Sequence, residues 1–347
     1  SAASVGVNMT RFPAPVLALV LAGFLAACAT PGYDYTARAA PNFPDALNYT
    51  DVSAGRFDGP AGDIAGREFD ALIRSAELEG RPWFVVLDSD QPQGVYEGGV
   101  AVTSYRGEIR LETERRCAKY DGPFNCKREK IVEMECTKEI VDVQVTASLI
   151  DLAARRTVFT SAQGGTTERE DCYDVAEYPY TNQTTGTVGS TIYETYGNYE
   201  APYSMIAGAV PAAVAQFRFD IAPYIATFRA EIVTRPLVGE EAGDARFAAA
   251  VQATKRGEFT GACAQWAELA EAYPNAPGIQ HNAGACAEAR GDIATAHSQY
   301  AHAAELAKQI PLLKDKDAKP IFDALTRVNK GRYENTLIDQ AKDTGGS

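Results

Sequence analysis

From Ile140 to Leu152 apolar and polar side chains alternate: Val141, Val143, Val145, Ala147 and Leu149 fall on one side, Asp142, Gln144, Thr146 and Ser148 on the other. A period of two is the mark of an extended strand with one dry and one wet face, the habit of antiparallel sheets. Such a strand needs a paired neighbour and a second layer over its dry face, which restricts the chain more than any other feature. Ala153-Ala154-Arg155-Arg156 reads as a turn, and Thr157-Val158-Phe159-Thr160 as the returning hairpin strand. Upstream, Gly99 to Tyr105, Glu108 to Cys117 and Lys130 to Cys136 are strand-like, and Trp83 to Leu87 reads as a buried strand ended by Asp88-Ser89-Asp90. Ile64, Phe69, Leu72, Ile73 and Ala76 share one helical face, with Gly80 where a helix end is expected. Met205 to Phe217 reads as a helix disturbed by Pro211, and Tyr224 to Val233 as a final strand. The expected fold is therefore α+β over residues 61–235, an antiparallel-sheet domain with flanking helices.

Residues 170–217 contain no Lys or Arg, six acids, and seven tyrosines between Tyr173 and Tyr203, which predicts a long irregular loop or an extended hairpin. That tyrosine-rich stretch is either a partner surface or a poorly ordered loop.

Beyond it, Gly257-Glu258-Phe259 recurs 34 residues later as Gly291-Asp292-Ile293. Ala262 then matches Ala296, Trp266 matches Tyr300, Leu269 matches Ala303, and Pro274 ends the first unit. Small residues let two helices approach, an aromatic fills the wedge and glycine turns the chain. The period and these residues resemble tetratricopeptide repeats over residues 244–307, with Gly284 at the small position of helix A. Ile321 to Ala341, with Gly331-Arg332-Tyr333, reads as a degenerate third unit, so an all-α repeat module is expected over 244–341. So few repeats bury their faces poorly alone and are expected to dock on the first domain or on a partner. The resemblance implies a concave groove for peptides, in which Asn282 would hold a peptide backbone; the alternative is a satisfied surface asparagine. His281, His297 and His302 do not share a helical face and read as solvated, not as ligands.

Arg11 and the uncharged run from Val16 to Ala27 read as an export signal. Twelve helical residues span about 18 Å, short of a roughly 30 Å hydrocarbon core. Residues 1–8 precede Met9 and read as upstream sequence. Leu25-Ala26-Ala27-Cys28 resembles the bacterial lipoprotein box, which implies lipidation of Cys28, and Ala29 in place of Asp implies sorting to the outer membrane. Residues 1–27 are then upstream sequence and signal, and 28–60, rich in Pro, Gly, Ala, Asp and Tyr, a lipidated tether. In an exported chain the six remaining cysteines point to an oxidised framework. Four lie within 56 residues, Cys117, Cys126, Cys136 and Cys172, and should form two bridges of open pairing; Cys263 should join Cys286. No Cys-x-x-Cys pair supports zinc.

The order helix, strand, several long strands, helix, strand resembles the curli-secretion lipoprotein family and its relatives, including flagellar envelope lipoproteins and the amino-terminal domain of the Tol system propeller protein. Ile64 to Leu87 and Val143 to Val158 carry that resemblance, which covers residues 55–235. The family's pore formers carry transmembrane hairpins; Thr181 to Tyr199 is the comparable segment, and its apolar alternation is poor. A formal charge of 33 − 46 = −13 would repel phosphate backbones and anionic lipid head groups alike, which disfavours nucleic acid as a partner. The chain has no nucleophile elbow, phosphate loop, dinucleotide fingerprint or His-Glu-x-x-His, and Asp88 and Asp90 read as turn residues, so no catalytic, cofactor or metal site is expected. The combined expectation is a non-enzymatic binding or assembly lipoprotein of the outer membrane, facing the periplasm. Its partners would be envelope proteins or peptides and the membrane through its lipid, and homo-oligomers are allowed. A ring-forming secretion or appendage-base component is the alternative, and a carboxylate-based envelope hydrolase a further one.

Overall fold

The computed structural model describes residues 30–85, 91–180, 191–195 and 200–345. The signal, Cys28, Asp88, Asp90 and most of Thr181 to Tyr199 lie outside them. The chain divides into two compact units, a sheet unit of Arg38–Ile225 with the residues from Tyr333 on, and a helical unit of Ala226–Arg332 with the residues up to Ala37.

In the sheet unit, strand β2 (Val52–Asp58) leads into helix α1 (Gly62–Ser75), and the hairpin of β3 (Glu77–Leu78) and β4 (Arg81–Pro82) follows. Gly80 serves this hairpin, not a helix end: Glu79 and Gly80 both have positive φ, 55° and 73°, as a two-residue turn between strands requires. Trp83 and Phe84 are buried as expected, but residues 83–85 are irregular and Val85 is exposed, so no strand forms there. The main sheet has the order β2-β5-β6-β7, with β5 Gly94–Tyr120, β6 Cys126–Asp151 and β7 Arg156–Pro179. The separate strand-like runs are thus halves of single strands of 27 and 26 residues, and residues 170–179 of the acidic, tyrosine-containing stretch form the end of β7. The sheet is mixed and not purely antiparallel, because β2 pairs β5 in parallel through the α1 crossover. β6 lines one edge of β5 along its length, so β2 and the short β8 (Thr191–Thr195) share the other.

Only the first half of this sheet has a core. Val141, Val143, Val145, Ala147 and Leu149 are buried with Tyr96, Phe159 and Phe69 beneath α1 and α2 (Tyr203–Gln216). The Phe69 ring lies 4.9 Å from Tyr96 and 5.4 Å from Phe217, where α2 gives way to α3 (Arg218–Ile221). Helix α2 approaches β7 closely enough that a Cβ on Gly165 would stand 2.2 Å from the carbonyl oxygen of Ala209. Past residues 105, 140 and 167 the three strands continue as an arm. Fifteen residues at about 3.3 Å each make it about 50 Å long. Cross-strand ion pairs line it, among them Arg110–Glu170, Arg116–Asp174 at 2.8 Å and Lys138–Glu168 at 2.8 Å. Two bridges, Cys117–Cys126 near the tip and Cys136–Cys172 between β6 and β7, resolve the open pairing.

The helical unit opens with β1 (Gly32–Ala39), which pairs β9 (Tyr224–Glu231). The segment expected as a tether is therefore structured: Tyr33 and Tyr35 turn to one side, Asp34 and Thr36 to solvent, a period of two that the surrounding Pro and Gly obscure. After α4 (Gly239–Ala242), helices α5 (Ala245–Lys255), α6 (Phe259–Ala272), α7 (Pro277–Ala289) and α8 (Ile293–Lys308) pack each on the next. The repeated glycines turn the chain: Gly257 and Gly291 have φ of 73° and 78° just after helix ends, where other residues are strained. Trp266 and Tyr300 are fully buried, and a Cβ on Gly284 would stand 2.9 Å from the Tyr300 ring. Cys263–Cys286 joins α6 to α7. The expected third helical pair is absent: Asp315–Gly345 is one helix, α9, which runs through Gly331 with Pro320 near its start. Among the described residues no helix is long and apolar enough to cross a membrane.

Candidate functional site on helix α7

Helix α7 starts at Pro277 and turns Gln280, His281 and Asn282 inward, all buried. The Asn282 side chain accepts from the Val233 N–H at 2.7 Å through Oδ1 and donates to the Val233 carbonyl at 2.9 Å through Nδ2. One amide thus satisfies both backbone groups of Val233, as a neighbouring strand would. His281 Nε2 lies 2.9 Å from the Glu231 carbonyl, so Nε2 carries the proton and Nδ1 is left a buried acceptor without a partner. Burial pushes the imidazole down to about 4; the bond to Glu231 opposes this, the nearby Arg327 charge adds to it and Glu288 opposes it. Glu241 accepts from the Leu237 and Val238 N–H groups, and burial raises its carboxyl against the pull of those bonds. Gly278 leaves room for the strap: a Cβ there would stand 3.4 Å from Val233 Cγ1 and 3.5 Å from Leu237 Cγ.

Residues 231–238 are therefore strapped along α7, and Asn282 does hold a backbone segment, that of its own chain. This corrects both expectations for Asn282, since it is neither a surface residue nor open to a peptide. His281 is likewise no solvated residue, being 1% exposed. His297 is half-buried, and His302 is exposed with Nε2 2.9 Å from the Pro274 carbonyl.

Further along α7, Glu288 is fully buried and four donors meet its carboxylate. Arg327 from α9 binds it twice, Nε to Oε1 at 2.8 Å and Nη2 to Oε2 at 2.7 Å; Tyr300 donates to Oε2 at 2.6 Å, and Tyr35 from β1 to Oε1. Burial opposes the Arg327 charge, but the bonds to Glu288 outweigh it and hold the guanidinium above its usual range. A buried ion pair with every lone pair met is stable as a unit and costly to break. Two signals in the sequence mark this cluster, the lone Glu288 within Ala285-Cys286-Ala287-Glu288-Ala289 and the Tyr-x-Tyr alternation at 33 and 35.

In the sheet unit, Asp220 is buried and accepts from Asn42, Ser161 and Gln163, each at 2.7 Å, which makes it a fastening between α3 and the sheet. Hydrogen bonds from Ser104 and Thr166, with Arg106 beside it, hold Asp142 down to about 2. An open cleft of about 810 Å³ is lined by Val102, Thr103, Ser104, Tyr105, Glu200 and Tyr203 among others. The Thr103 hydroxyl donates to the Asp142 backbone carbonyl at 3.1 Å and the Ser104 hydroxyl to the Asp142 carboxylate. Cys136, Cys172 and Glu170 lie close enough together to suggest metal ligation, but the two sulfurs are bonded to each other.

No protein-family model and no curated protein matches the sequence. Solved structures match part of the chain, among them the following two. One is a protein from Caulobacter crescentus CB15 classed provisionally as a lipoprotein, 11% identical, covering 52% of this chain and 92% of its own, with a TM-score of 0.22. The other is a dodecamer of a PelC variant from Paraburkholderia phytofirmans, 12% identical, covering 53% of this chain and 97% of its own, with a TM-score of 0.21. At TM-scores this low neither likeness carries an argument about this chain.

Proposed function

We propose that this chain is a lipid-anchored scaffold of the bacterial envelope, attached through Cys28 to the outer membrane and facing the periplasm, with no catalytic role. Its helical unit is read as tetratricopeptide-like: left-handed glycines recur 34 residues apart and Gly284 meets Tyr300 as that repeat requires. The strap over α7 occupies the surface on which such repeats hold peptides, so contact with partners passes to the sheet unit.

The observation that carries this reading is the arm. Strands of 27, 26 and 24 residues extend well past their core, and two disulfides and a ladder of ion pairs hold the excess length. Length without a core gains little stability, and fits a surface built for contact. Photo-crosslinking in intact envelopes tests it. A crosslinker in place of Tyr173 or Val175 on β7 should trap defined neighbours, another copy of the chain included, while one in place of Glu68 on α1 should not. Equal, non-specific yields from both places overturn the reading. Fractionation tests the anchor: Cys28→Ser should leave the membrane fraction.

A further inference from the structure

The tip of the arm carries a charge opposite to that of the rest of the chain. Residues 115–130 hold six bases, Arg115, Arg116, Lys119, Lys127, Arg128 and Lys130, against two acids, Asp121 and Glu129, or 6 − 2 = +4. The other 347 − 16 = 331 residues therefore carry −13 − 4 = −17. The turn at the end is fixed in shape. Asp121 N–H donates to the Asn125 carbonyl at 2.8 Å, Gly122 takes a φ of 92°, and Cys117–Cys126 closes the strands behind it. On this rigid base Phe124 is 97% exposed and Tyr120 62% exposed. Of the six bases, Arg116 is held by Asp174 at 2.8 Å, Lys130 by Glu177 of β7, and Arg115 lies 3.7 Å from Glu129, whereas Lys119 and Arg128 form no ion pair among the described residues and Lys127 reaches Asp121 only at 3.7 Å.

We propose that this tip docks on an anionic lipid surface, with the Phe124 and Tyr120 rings entering the headgroup layer and Lys119, Lys127 and Arg128 meeting lipid phosphates. The proposal rests on the reading of the arm as a contact element and names what its end contacts. Aromatic rings flanked by basic side chains are the composition of membrane interfaces, where a ring sits at headgroup depth. Shape decides against a protein partner. A stable protein interface buries about 800 Å² on each side, which a convex turn of a few residues does not offer. A fluid interface closes around such a turn and needs only the two rings plus the charge attraction. The acidic remainder of the chain, which would be repelled from the same lipid, leaves the tip as the part drawn to it.

Flotation with vesicles tests this, using residues 28–347 carrying Cys28→Ser so that neither the apolar signal nor an acyl chain contributes. Vesicles of phosphatidylglycerol and phosphatidylcholine in equal parts should carry the protein, and pure phosphatidylcholine should not. Binding should weaken steeply as salt rises through the physiological range. Phe124→Ser should lower the partition about tenfold, from the loss of one buried ring, and K127E with R128E should abolish it, while Tyr173→Ser on the flank of the arm should leave it unchanged. All four side chains are exposed, and an unchanged melting temperature confirms folding. Failure to float on anionic vesicles, or flotation that ignores Phe124→Ser, overturns the proposal. If light scattering instead shows self-association that Phe124→Ser abolishes, the occupant is a second copy: the lipid proposal falls and the arm as a contact element stands.

Discussion

The helical unit and the arm of the sheet unit place their polar side chains in opposite settings. Around α7, Asn282, His281, Glu288 and Arg327 are turned inward and tie distant parts of one chain together. Along the arm, charged groups are paired at the surface facing solvent, and disulfides do the holding. The same residue types thus do different work. Buried, a hydrogen bond is costly to lose because its partner is left dry; exposed, water takes the partner back.

Four measurements can break or sharpen that contrast. Arg327→Met should have the largest effect, about 3 to 5 kcal/mol in urea unfolding, because Glu288 remains a buried charge with two hydroxyls for company. A loss below 1 kcal/mol would mean that the cluster is wetter than its geometry. Acid comes next. His281 is held down to about 4 in the folded chain, so above about 6.5 neither state binds its proton, and below that only the unfolded chain does. Stability should therefore fall as pH drops from about 6.5 to about 4, by on the order of 3 kcal/mol, and His281→Gln should remove that slope. Asn282→Ala strands the N–H and carbonyl of Val233 and should cost roughly 2 to 3 kcal/mol. Hydrogen exchange should quicken along residues 231–238, and an unchanged rate there would show that the strap does not depend on the amide. On the arm, a double-mutant cycle on Lys138 and Glu168 should give a coupling below about 1 kcal/mol that vanishes in high salt. A coupling as large as that of Arg327 would erase the distinction.

How much could be read beforehand follows the same divide. The alternation at Val141 to Leu149 was legible because one face of that stretch is covered, and each inward residue had to be apolar. In the arm few side chains are buried, Val132 and Cys136 of β6 among them, so Glu108 to Cys117 and Lys130 to Cys136 keep strand composition without a sustained period of two that would reveal their joining. The tether reading of 28–60 failed because Pro31 and Pro41 to Pro44 bracket a short strand whose inward side is only Tyr33, Tyr35, Ala37 and Ala39. Asn282 was found by its offset in the repeat, yet what it holds lies 49 positions away at Val233, beyond any local pattern.

By itself the sequence determined the helices with their glycine stops, the inward face of β6, the tyrosine-rich stretch without bases, and the pairing of Cys263 with Cys286. Each is set by neighbours within one or two elements, where residue type and spacing act directly. Tertiary structure alone decided that β2 runs parallel to β5, that Cys117 meets Cys126 and Cys136 meets Cys172, that residues 231–238 close over α7, and that Tyr35, Tyr300 and Arg327 converge on Glu288. Those are meetings of residues far apart in the chain. Their free energy comes from burying groups that are individually unremarkable and complete one another only when brought together.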